Sequence, residues 1–136
     1  EHEAYDITGI ALSDKENILK AIEKISNMGV PGVIITLGKN GAVYSKNQEI
    51  YFSSCVDCGS CLDPTAAGDS FIGAFCTATA AGIPAQNALE FANCTAGITV
   101  SHMGAQTSLP TLDEVLDIMQ KKKYNTDCFS ILKRVD

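Results

Sequence analysis

The sequence has no cluster of basic residues that would mark a nucleic-acid-binding surface. Its 136 residues contain 10 lysines and arginines against 16 aspartates and glutamates, which gives a formal net charge of −6. Because the phosphate backbone of a nucleic acid is bound by clustered cations, this balance argues against a nucleic-acid partner. It does not argue against a small anionic ligand.

Apolar runs of membrane-spanning length are also missing, and so is a targeting segment at the start. The first residues, Glu1-His2-Glu3, have neither the basic beginning nor the apolar middle of a signal peptide. There is no internal repeat and no low-complexity segment. We therefore expect a single cytoplasmic domain with no membrane partner, long enough to bury a hydrophobic core.

The six cysteines have no secretory context, which favours reduced thiols over a disulfide framework. Cys55, Cys58 and Cys61 follow the spacing C-x2-C-x2-C, which begins an iron–sulfur ligand run and also resembles half of a zinc site. The next ligand of such a run would fall at position 65, which is Thr65. The pattern therefore favours a loop or strand that carries thiols, and a metal- or redox-binding module is the less favoured alternative.

Alternating helical and β patterns predict an α/β fold. Ser13 and Glu16 have the spacing of a capping box in front of an amphipathic helix over 14–28, and a run of β-formers over 32–37 predicts a buried strand. Turn residues after this strand separate further short β-like runs. This part of the chain is therefore expected to form a small antiparallel meander.

The rest of the chain is predicted to be helical. An apolar helix over 71–81 is followed by a helix over 85–101 that is rich in small residues, and Thr111 with Glu114 predicts a capping box for a third helix that ends near residue 121. The segment 122–136 is expected to be a tail. Three apolar tail residues are candidates for docking onto the domain: Phe129, Ile131 and Leu132.

Residues 63–71 place two carboxylates and a turn of small residues in front of an apolar helix. The Ala-Ala-Gly turn lets backbone N–H groups approach a ligand, and the helix presents its free N–H groups and positive dipole end in the same direction. This arrangement is suited to holding an anion. Asp69 at the helix mouth can either cap the first turn or accept a proton from a substrate beside the anion, and these residues alone leave both roles open.

Three motifs together resemble the ribokinase-like carbohydrate kinases, also called the phosphofructokinase-B family. Residues 63–71, Asp-Pro-Thr-Ala-Ala-Gly-Asp-Ser-Phe, are similar to the family signature D-T-x-[GA]-A-G-D-x-F and differ from it chiefly at Pro64. Residues 36–41 resemble its T-L-G-x-x-G nucleotide turn, and residues 104–110 resemble its G-A-Q-x-S-x-P loop. The resemblance covers residues 1–121 and implies the C-terminal portion of a three-layer α/β/α fold.

The resemblance implies ATP-dependent phosphoryl transfer to a hydroxyl of a sugar or a related small molecule. Asp69 would be the general base, and the backbone N–H groups of Ala67, Gly68 and Asp69 would form the anion hole, with Ala66 in the same turn. Four residues would line the phosphates and ribose of ATP, and a fifth would lie near the adenine. The first four are Thr36, Gly38, Lys39 and Gly41, and the fifth is Asn93.

Two cation roles are also implied by the resemblance. Glu3 corresponds to the Glu of the family's N-x-x-E motif, which acts through Mg²⁺ and phosphate. A monovalent-cation site, suited to K⁺ because its ligands are hard oxygens, would take ligands from two loops. Those ligands would be Asp63 and Thr65, the carbonyl groups of Thr99, His102 and Gly104, and the hydroxyl of Ser108.

Family members are much longer than this chain, and their N-terminal half carries the sugar-binding residues and a β lid that often forms a homodimer. We therefore expect this chain to be the nucleotide-binding part of a kinase and, in isolation, not to phosphorylate a sugar. Two alternatives stay open. One is the cysteine-based metal or redox module, and the other is a nucleotide-binding domain without catalytic activity.

Overall fold

Two helices precede a three-stranded sheet and three further helices follow it in the computed structural model, which describes residues 1–134. The helices are α1 (His2–Thr8), α2 (Lys15–Ser26), α3 (Ala67–Ala80), α4 (Ala85–Val100) and α5 (Leu112–Lys121). The strands are β1 (Gly32–Thr36), β2 (Ala42–Lys46) and β3 (Glu49–Ser53), and 3₁₀ helices cover Gly38–Asn40 and Asp127–Arg134. Each helix within residues 1–134 is too short or too polar to cross a membrane.

The sheet is an antiparallel meander in the order β1-β2-β3, which confirms the arrangement expected from the turn residues. Its register places Val43 opposite both Ile35 and Phe52. The link between β2 and β3 is a two-residue turn in which Asn47 and Gln48 have φ angles of 52° and 68°. Two left-handed residues give a hairpin turn the twist that matches the flanking strands.

Helices cover both faces of this sheet, as the α/β prediction requires. On one face, Ile18 and Ile22 of α2 pack with Val33, Ile35 and Val43 in a small hydrophobic cluster. On the other face, the larger cluster contains residues of α3, α4 and α5 and side chains of the strands. Helix α4 lies at the centre of that cluster, and ten of its 16 residues are buried.

The start of α2 corrects the predicted capping box. Asp14, and not Ser13, is the N-cap residue, and its carboxylate accepts a hydrogen bond from the backbone N–H of Asn17 at 2.9 Å. The Ser13 hydroxyl donates to Asp14, and Glu16 pairs with Lys20 at 2.6 Å. Two adjacent residues could both cap this helix, and the carboxylate reaches the third N–H of the helix. The hydrogen bond from Asn17 also lowers the pKa of Asp14.

The segment after α5 is packed onto the domain. Phe129 is fully buried and stacks on Phe91 of α4 with a ring-centroid distance of 4.9 Å. Leu132 is partly buried against the same cluster, whereas Ile131 is 46% exposed. Two of the three apolar residues suggested for docking therefore contact the core. The last two residues of the predicted tail, 135 and 136, lie outside the described residues.

Candidate functional site

The N-terminus of α3 is preceded by a residue in a conformation that is rare for L-amino acids. Ala66 has a φ angle of 63°, and the helix begins at the next residue. The N–H of Ala67 donates to the carbonyl of Pro64 at 3.2 Å, and the N–H of Ser70 donates to the carbonyl of Ala66 at 2.9 Å. Within residues 1–134, the N–H groups of Gly68 and Asp69 have no backbone or side-chain acceptor. Two of the three N–H groups expected to form an anion hole are therefore free.

A cavity of about 330 Å³ lies between this helix end, the turn after β1 and one face of α4. It brings together the residues that the sequence predicts for nucleotide binding with two residues of the predicted anion hole. Those lining residues are Thr36, Gly38, Lys39, Gly41, Ala67, Gly68 and Asn93. Residues 36–41, the stretch 63–71 and Asn93 of α4 are far apart in sequence and thus meet at a single cavity.

The turn between β1 and β2 can be built only with a glycine at its end. Gly41 has a φ angle of 93°, and a Cβ atom placed on it would lie 2.0 Å from the carbonyl oxygen of Ser53. The carbonyl of Gly41 accepts a hydrogen bond from the N–H of Leu37 at 2.8 Å, which closes the turn. Backbone and not side chain therefore forms this edge of the cavity, which lets a ligand approach closely.

Asn93 is buried in the wall of the cavity and is not a solvated surface amide. Its side-chain amide donates to the carbonyl of Ser53 at 3.2 Å, and the residue is 5% exposed. The hydrogen bond joins α4 to the end of β3. A buried polar side chain that lines a cavity is a common means of orienting a ligand.

Asp69 lines a second cavity, of about 640 Å³, on the other side of the α3 N-terminus. Ala66, Ser70 and Gln106 also line this space. The Asp69 carboxylate is exposed and has no hydrogen-bond or ion-pair partner among the described residues. One turn of helix therefore offers free N–H groups to a bound anion and, beside them, a free carboxylate.

Asp63 ties together the loops that precede α3 and follow α4. One of its carboxylate oxygens accepts from the N–H of Thr65 at 2.9 Å, and the other accepts from the N–H of Gly104 at 3.0 Å. Hydrogen bonds from the Thr65 side chain and then from the Gly104 and Thr65 backbone hold the pKa of Asp63 below its usual range. The backbone N–H of Asp63 also donates to the carbonyl of Val100. Three of the predicted cation-loop residues thus meet.

The other residues predicted for the cation site lie close by in sequence, at the end of α4 and in the following loop. The carbonyl of Thr99 accepts from the N–H of His102 at 3.2 Å, next to the Val100 carbonyl that holds the 62–63 backbone. Ser108 is buried, and its hydroxyl donates to the carbonyl of Ala105 at 3.3 Å. The His102 ring is exposed and lies 3.0 Å from the carbonyl of Ile98.

The cysteine trio is not arranged as a metal site, and Glu3 lies outside the two cavities beside α3. No group of three or more His, Cys, Asp or Glu side chains within residues 1–134 is arranged to hold a metal ion, so nothing in the geometry supports the cysteine module. Glu3 has an 89% exposed side chain and lies in a groove along β1. It lines neither of the two cavities beside α3.

Gly97 is a cavity residue that the sequence reasoning did not single out. A Cβ atom on Gly97 would lie 2.6 Å from the carbonyl oxygen of Val56, so the loop before α3 lies directly on α4 at this point. Cys55 and Cys61 of that loop line the same cavity. A glycine inside a helix of small residues was a signal for close approach, but its partner could not be read locally.

Fold and site together define a class: α/β proteins in which a glycine turn and a helix N-terminus with free N–H groups enclose a cavity. The chain matches the model of the pfkB family of carbohydrate kinases over residues 1–112, and it belongs to that family. This confirms the family resemblance carried by the three motifs.

Known relatives support the same assignment. The chain is 42% identical over 128 residues to a ribokinase of Schizosaccharomyces pombe, covering 90% of this chain and 40% of the relative. It is 35% identical over 122 residues to a ribokinase of Haemophilus influenzae, covering 88% and 39%. The structure of Arabidopsis thaliana ribokinase complexed with ribose and ATP superposes with a TM-score of 0.85 at 30% identity, covering 88% and 39%. The fold is therefore ribokinase-like, and the chain spans about two fifths of the length of these relatives.

Proposed function

We propose that this chain forms the nucleotide-handling part of a sugar kinase, which transfers the γ-phosphoryl group of ATP to a hydroxyl group. The observation that carries the proposal is the single turn of α3 in which the free N–H groups of Gly68 and Asp69 adjoin the free Asp69 carboxylate. Phosphoryl transfer is catalysed mainly by positioning and charge stabilisation, and this turn offers both.

In this proposal ATP lies in the cavity of about 330 Å³, with its phosphates directed toward the α3 N-terminus. The glycine turn lets the phosphates lie against backbone, and the exposed ammonium group of Lys39 adds a positive charge at the same edge. Asn93 would orient the adenine from the opposite wall. A cavity of this size is at the lower end of the range of about 300–1,000 Å³ that small-molecule sites occupy.

Asp69 would act as the base for the acceptor. The hydroxyl oxygen of the acceptor attacks the γ-phosphorus, the bond to the β–γ bridging oxygen breaks, and ADP leaves with that electron pair. The hydroxyl proton passes to the Asp69 carboxylate, whose freedom from protein partners keeps its oxygens available. The N–H groups of Gly68 and Asp69 stabilise the charge on the transferred group, because a helix N-terminus is a fixed positive potential.

The donor set at the second loop fits a monovalent cation. It consists of hard oxygens: the anchored carboxylate of Asp63, the buried hydroxyl of Ser108 and backbone carbonyl groups at the end of α4. A bound K⁺ would add positive charge behind the anion-binding turn. Mg²⁺ is usually held largely by the phosphates of ATP, and Glu3 lies outside both cavities, so we assign Glu3 no step.

The test is the substitution Asp69→Asn in the protein at its natural full length, with ADP release measured in the presence of ATP and ribose. We expect turnover to fall by about 10²–10⁴ because a general base is lost, while ATP affinity is retained. Asp117→Asn is the matched control, since Asp117 is exposed and forms only a surface pair with Lys121. Turnover near that of the unmodified protein in Asp69→Asn would show that the base is assigned wrongly.

Several expectations from the sequence stay predictions. These are the cytoplasmic location, a homodimer formed through an N-terminal lid, and the lack of sugar phosphorylation by the isolated chain. The acceptor is also part of the proposal, because a sugar substrate is known here only for relatives such as the Arabidopsis enzyme with its bound ribose.

A further inference from the structure

Two cysteines from different parts of the chain lie together behind the nucleotide cavity. Cys58 is half-buried in the loop before α3, and Cys94 is buried in the middle of α4. The Cys58 thiol approaches the backbone carbonyl oxygen of Cys94 with a separation of 3.9 Å. Its sulfur also lies 3.1 Å from the position that a Cβ atom of Gly97 would occupy, one turn further along the same helix face.

We propose that Cys58 and Cys94 form a reversible disulfide, which makes this pair a site of oxidative modification at the wall of the nucleotide cavity. The pair differs from the C-x2-C-x2-C trio suggested by the sequence, because only Cys58 is shared. The Cys58 sulfur lies against the backbone of Cys94, so closure needs rotation of the Cys94 side chain away from Val115 and a shift of the loop.

The surroundings of Cys58 and Cys94 differ, and this difference gives each cysteine its own role in disulfide formation. Half-buried Cys58 can be reached by a small oxidant, whereas Cys94 is shielded by the core. The Cys94 thiol donates to the carbonyl of Val115 at 3.8 Å, and it can instead donate to the Cys58 sulfur. That hydrogen bond lowers the pKa of Cys58, and the charge of Lys122 acts in the same direction. A thiolate is the reactive form of cysteine, so Cys58 is the sulfur that reacts first with an oxidant.

The oxidant class is hydrogen peroxide. The Cys58 thiolate attacks one peroxide oxygen, the O–O bond breaks, and Cys58 becomes a sulfenic acid as hydroxide leaves and takes up a proton to give water. The Cys94 sulfur then attacks the Cys58 sulfur, the S–O bond breaks, and a second water leaves with the Cys94 proton. Two thiols and one peroxide thus give one disulfide and two waters, and a dithiol reverses the step.

Closure would reshape the nucleotide cavity. An S–S bond of about 2.05 Å is much shorter than a thiol contact, so the loop must move toward α4. Cys55 and Cys61, on either side of Cys58, line the cavity, and Gly97 of α4 lines it as well. The Val56 carbonyl already lies against Gly97 and cannot move closer to α4. Movement of the loop therefore displaces Cys55 and Cys61, which line the cavity. The expected loss of ATP affinity rests on the proposed function.

The first test maps the bond in the full-length protein. The native protein is treated with hydrogen peroxide, free thiols are blocked by alkylation, and peptides are analysed by mass spectrometry without reduction. We expect a linked pair of peptides containing Cys58 and Cys94. It should be lost in Cys58→Ser and Cys94→Ala and kept in the matched controls Cys55→Ser and Cys61→Ser. A dominant Cys55–Cys58 or Cys58–Cys61 bond, or no bond, would overturn the proposal.

The second test measures ATP affinity by calorimetry before and after oxidation, and again after addition of dithiothreitol. We expect oxidation to weaken binding by at least about fivefold, with recovery on reduction, and no change in Cys58→Ser. A substitution at Cys94 can disturb folding because this residue is fully buried. The comparison therefore relies on Cys58→Ser. If peroxide weakened ATP binding equally in Cys58→Ser and in the unmodified protein, the proposed link between the disulfide and ATP affinity would be wrong. Failure of the reduced protein to bind ATP would count against the proposed function, while the mapping would still decide the disulfide.

Discussion

The Asp63 carboxylate and the Gly104 backbone N–H are joined by a hydrogen bond of 3.0 Å across 41 residues of sequence. The same carboxylate holds the N–H of Thr65 at 2.9 Å. One side chain thus fixes the spacing between the loop that leads into α3 and the loop that follows α4. A carboxylate that accepts several hydrogen bonds stays ionised at lower pH than a free one.

This arrangement predicts how the two loops respond to acid. The folded pKa of Asp63 is lowered below its ordinary value of 3.8. The ionised carboxylate therefore contributes fully to the stability of the two loops above that pH, and this contribution is lost as the pH falls through the folded pKa. We expect the amide signals of Gly104 and Thr65 in NMR spectra to shift together, with a midpoint below pH 3.8. A midpoint at or above pH 3.8, or a shift of only one amide, would contradict the two-sided hydrogen bond.

Gly68 allows stability and activity to be separated. It has helical geometry, and a Cβ atom added there would have no neighbour within 4 Å, so Gly68→Ala should raise the free energy of unfolding by up to about 0.5–1 kcal/mol. The added methyl group would lie at the helix mouth that lines the cavity, and phosphoryl transfer should fall by about 10² or more. The measurements are thermal unfolding and ADP release.

Gly73→Ala is the matched control for that experiment. Gly73 lies further along α3, and a Cβ atom there also meets no neighbour within 4 Å. We expect a similar gain in stability and a much smaller loss of transfer activity than in Gly68→Ala, because Gly73 lines the second cavity and lies away from the helix mouth. Equal losses of activity in Gly73→Ala and Gly68→Ala would show that the helix mouth has no special role.

Gly41 and Gly38 should differ in their tolerance of a side chain. Both have positive φ angles, so an alanine at either position costs about 1–2 kcal/mol of backbone strain. A Cβ atom on Gly41 would in addition collide with the Ser53 carbonyl, whereas Gly38 has open space. We expect Gly41→Ala to lower the free energy of unfolding by roughly 3 kcal/mol or more and Gly38→Ala by clearly less. If urea titrations gave the same loss of unfolding free energy for Gly41→Ala and Gly38→Ala, the close approach of Gly41 to the Ser53 carbonyl would be wrong.

Phe129 tests whether the C-terminal segment belongs to the core. Its ring is fully buried against Phe91, so Phe129→Ala should cost about 3–5 kcal/mol of stability. Ile131, two residues away and 46% exposed, is the control, and its change to alanine should stay within about 0.5 kcal/mol. If chemical denaturation gave the same midpoint for both variants, the segment would not be packed as described.

Sequence reasoning succeeded where the determining contacts are local. The capping box of Thr111 and Glu114 spans four residues, and it starts α5 as predicted. The antiparallel meander follows from turn residues beside short strands. At α2, by contrast, Ser13 and Asp14 compete for one position, and only the reach of the side chain decides in favour of Asp14.

The separate parts of the site could be predicted from the sequence, but the contacts that join them could not. The glycine turn and the stretch 63–71 are each readable within ten residues, and the cavity that unites them confirms their proximity. The contacts of Asp63 with Gly104 and of Val56 with Gly97 each cross about 40 residues of sequence. No local pattern encodes such pairs, because they depend on how the helices pack.

The central position of α4 determines which parts of the protein can unfold locally and which unfold only with the whole domain. This helix packs against α3, α5, β2 and β3, so none of these neighbours can detach without uncovering one of its faces. Its amide protons should therefore exchange with solvent only when the whole domain unfolds, whereas those of the loop around Cys58 should exchange through small local openings. We therefore expect the cavity wall that carries Asn93 and Gly97 to be more rigid than the loop around Cys58.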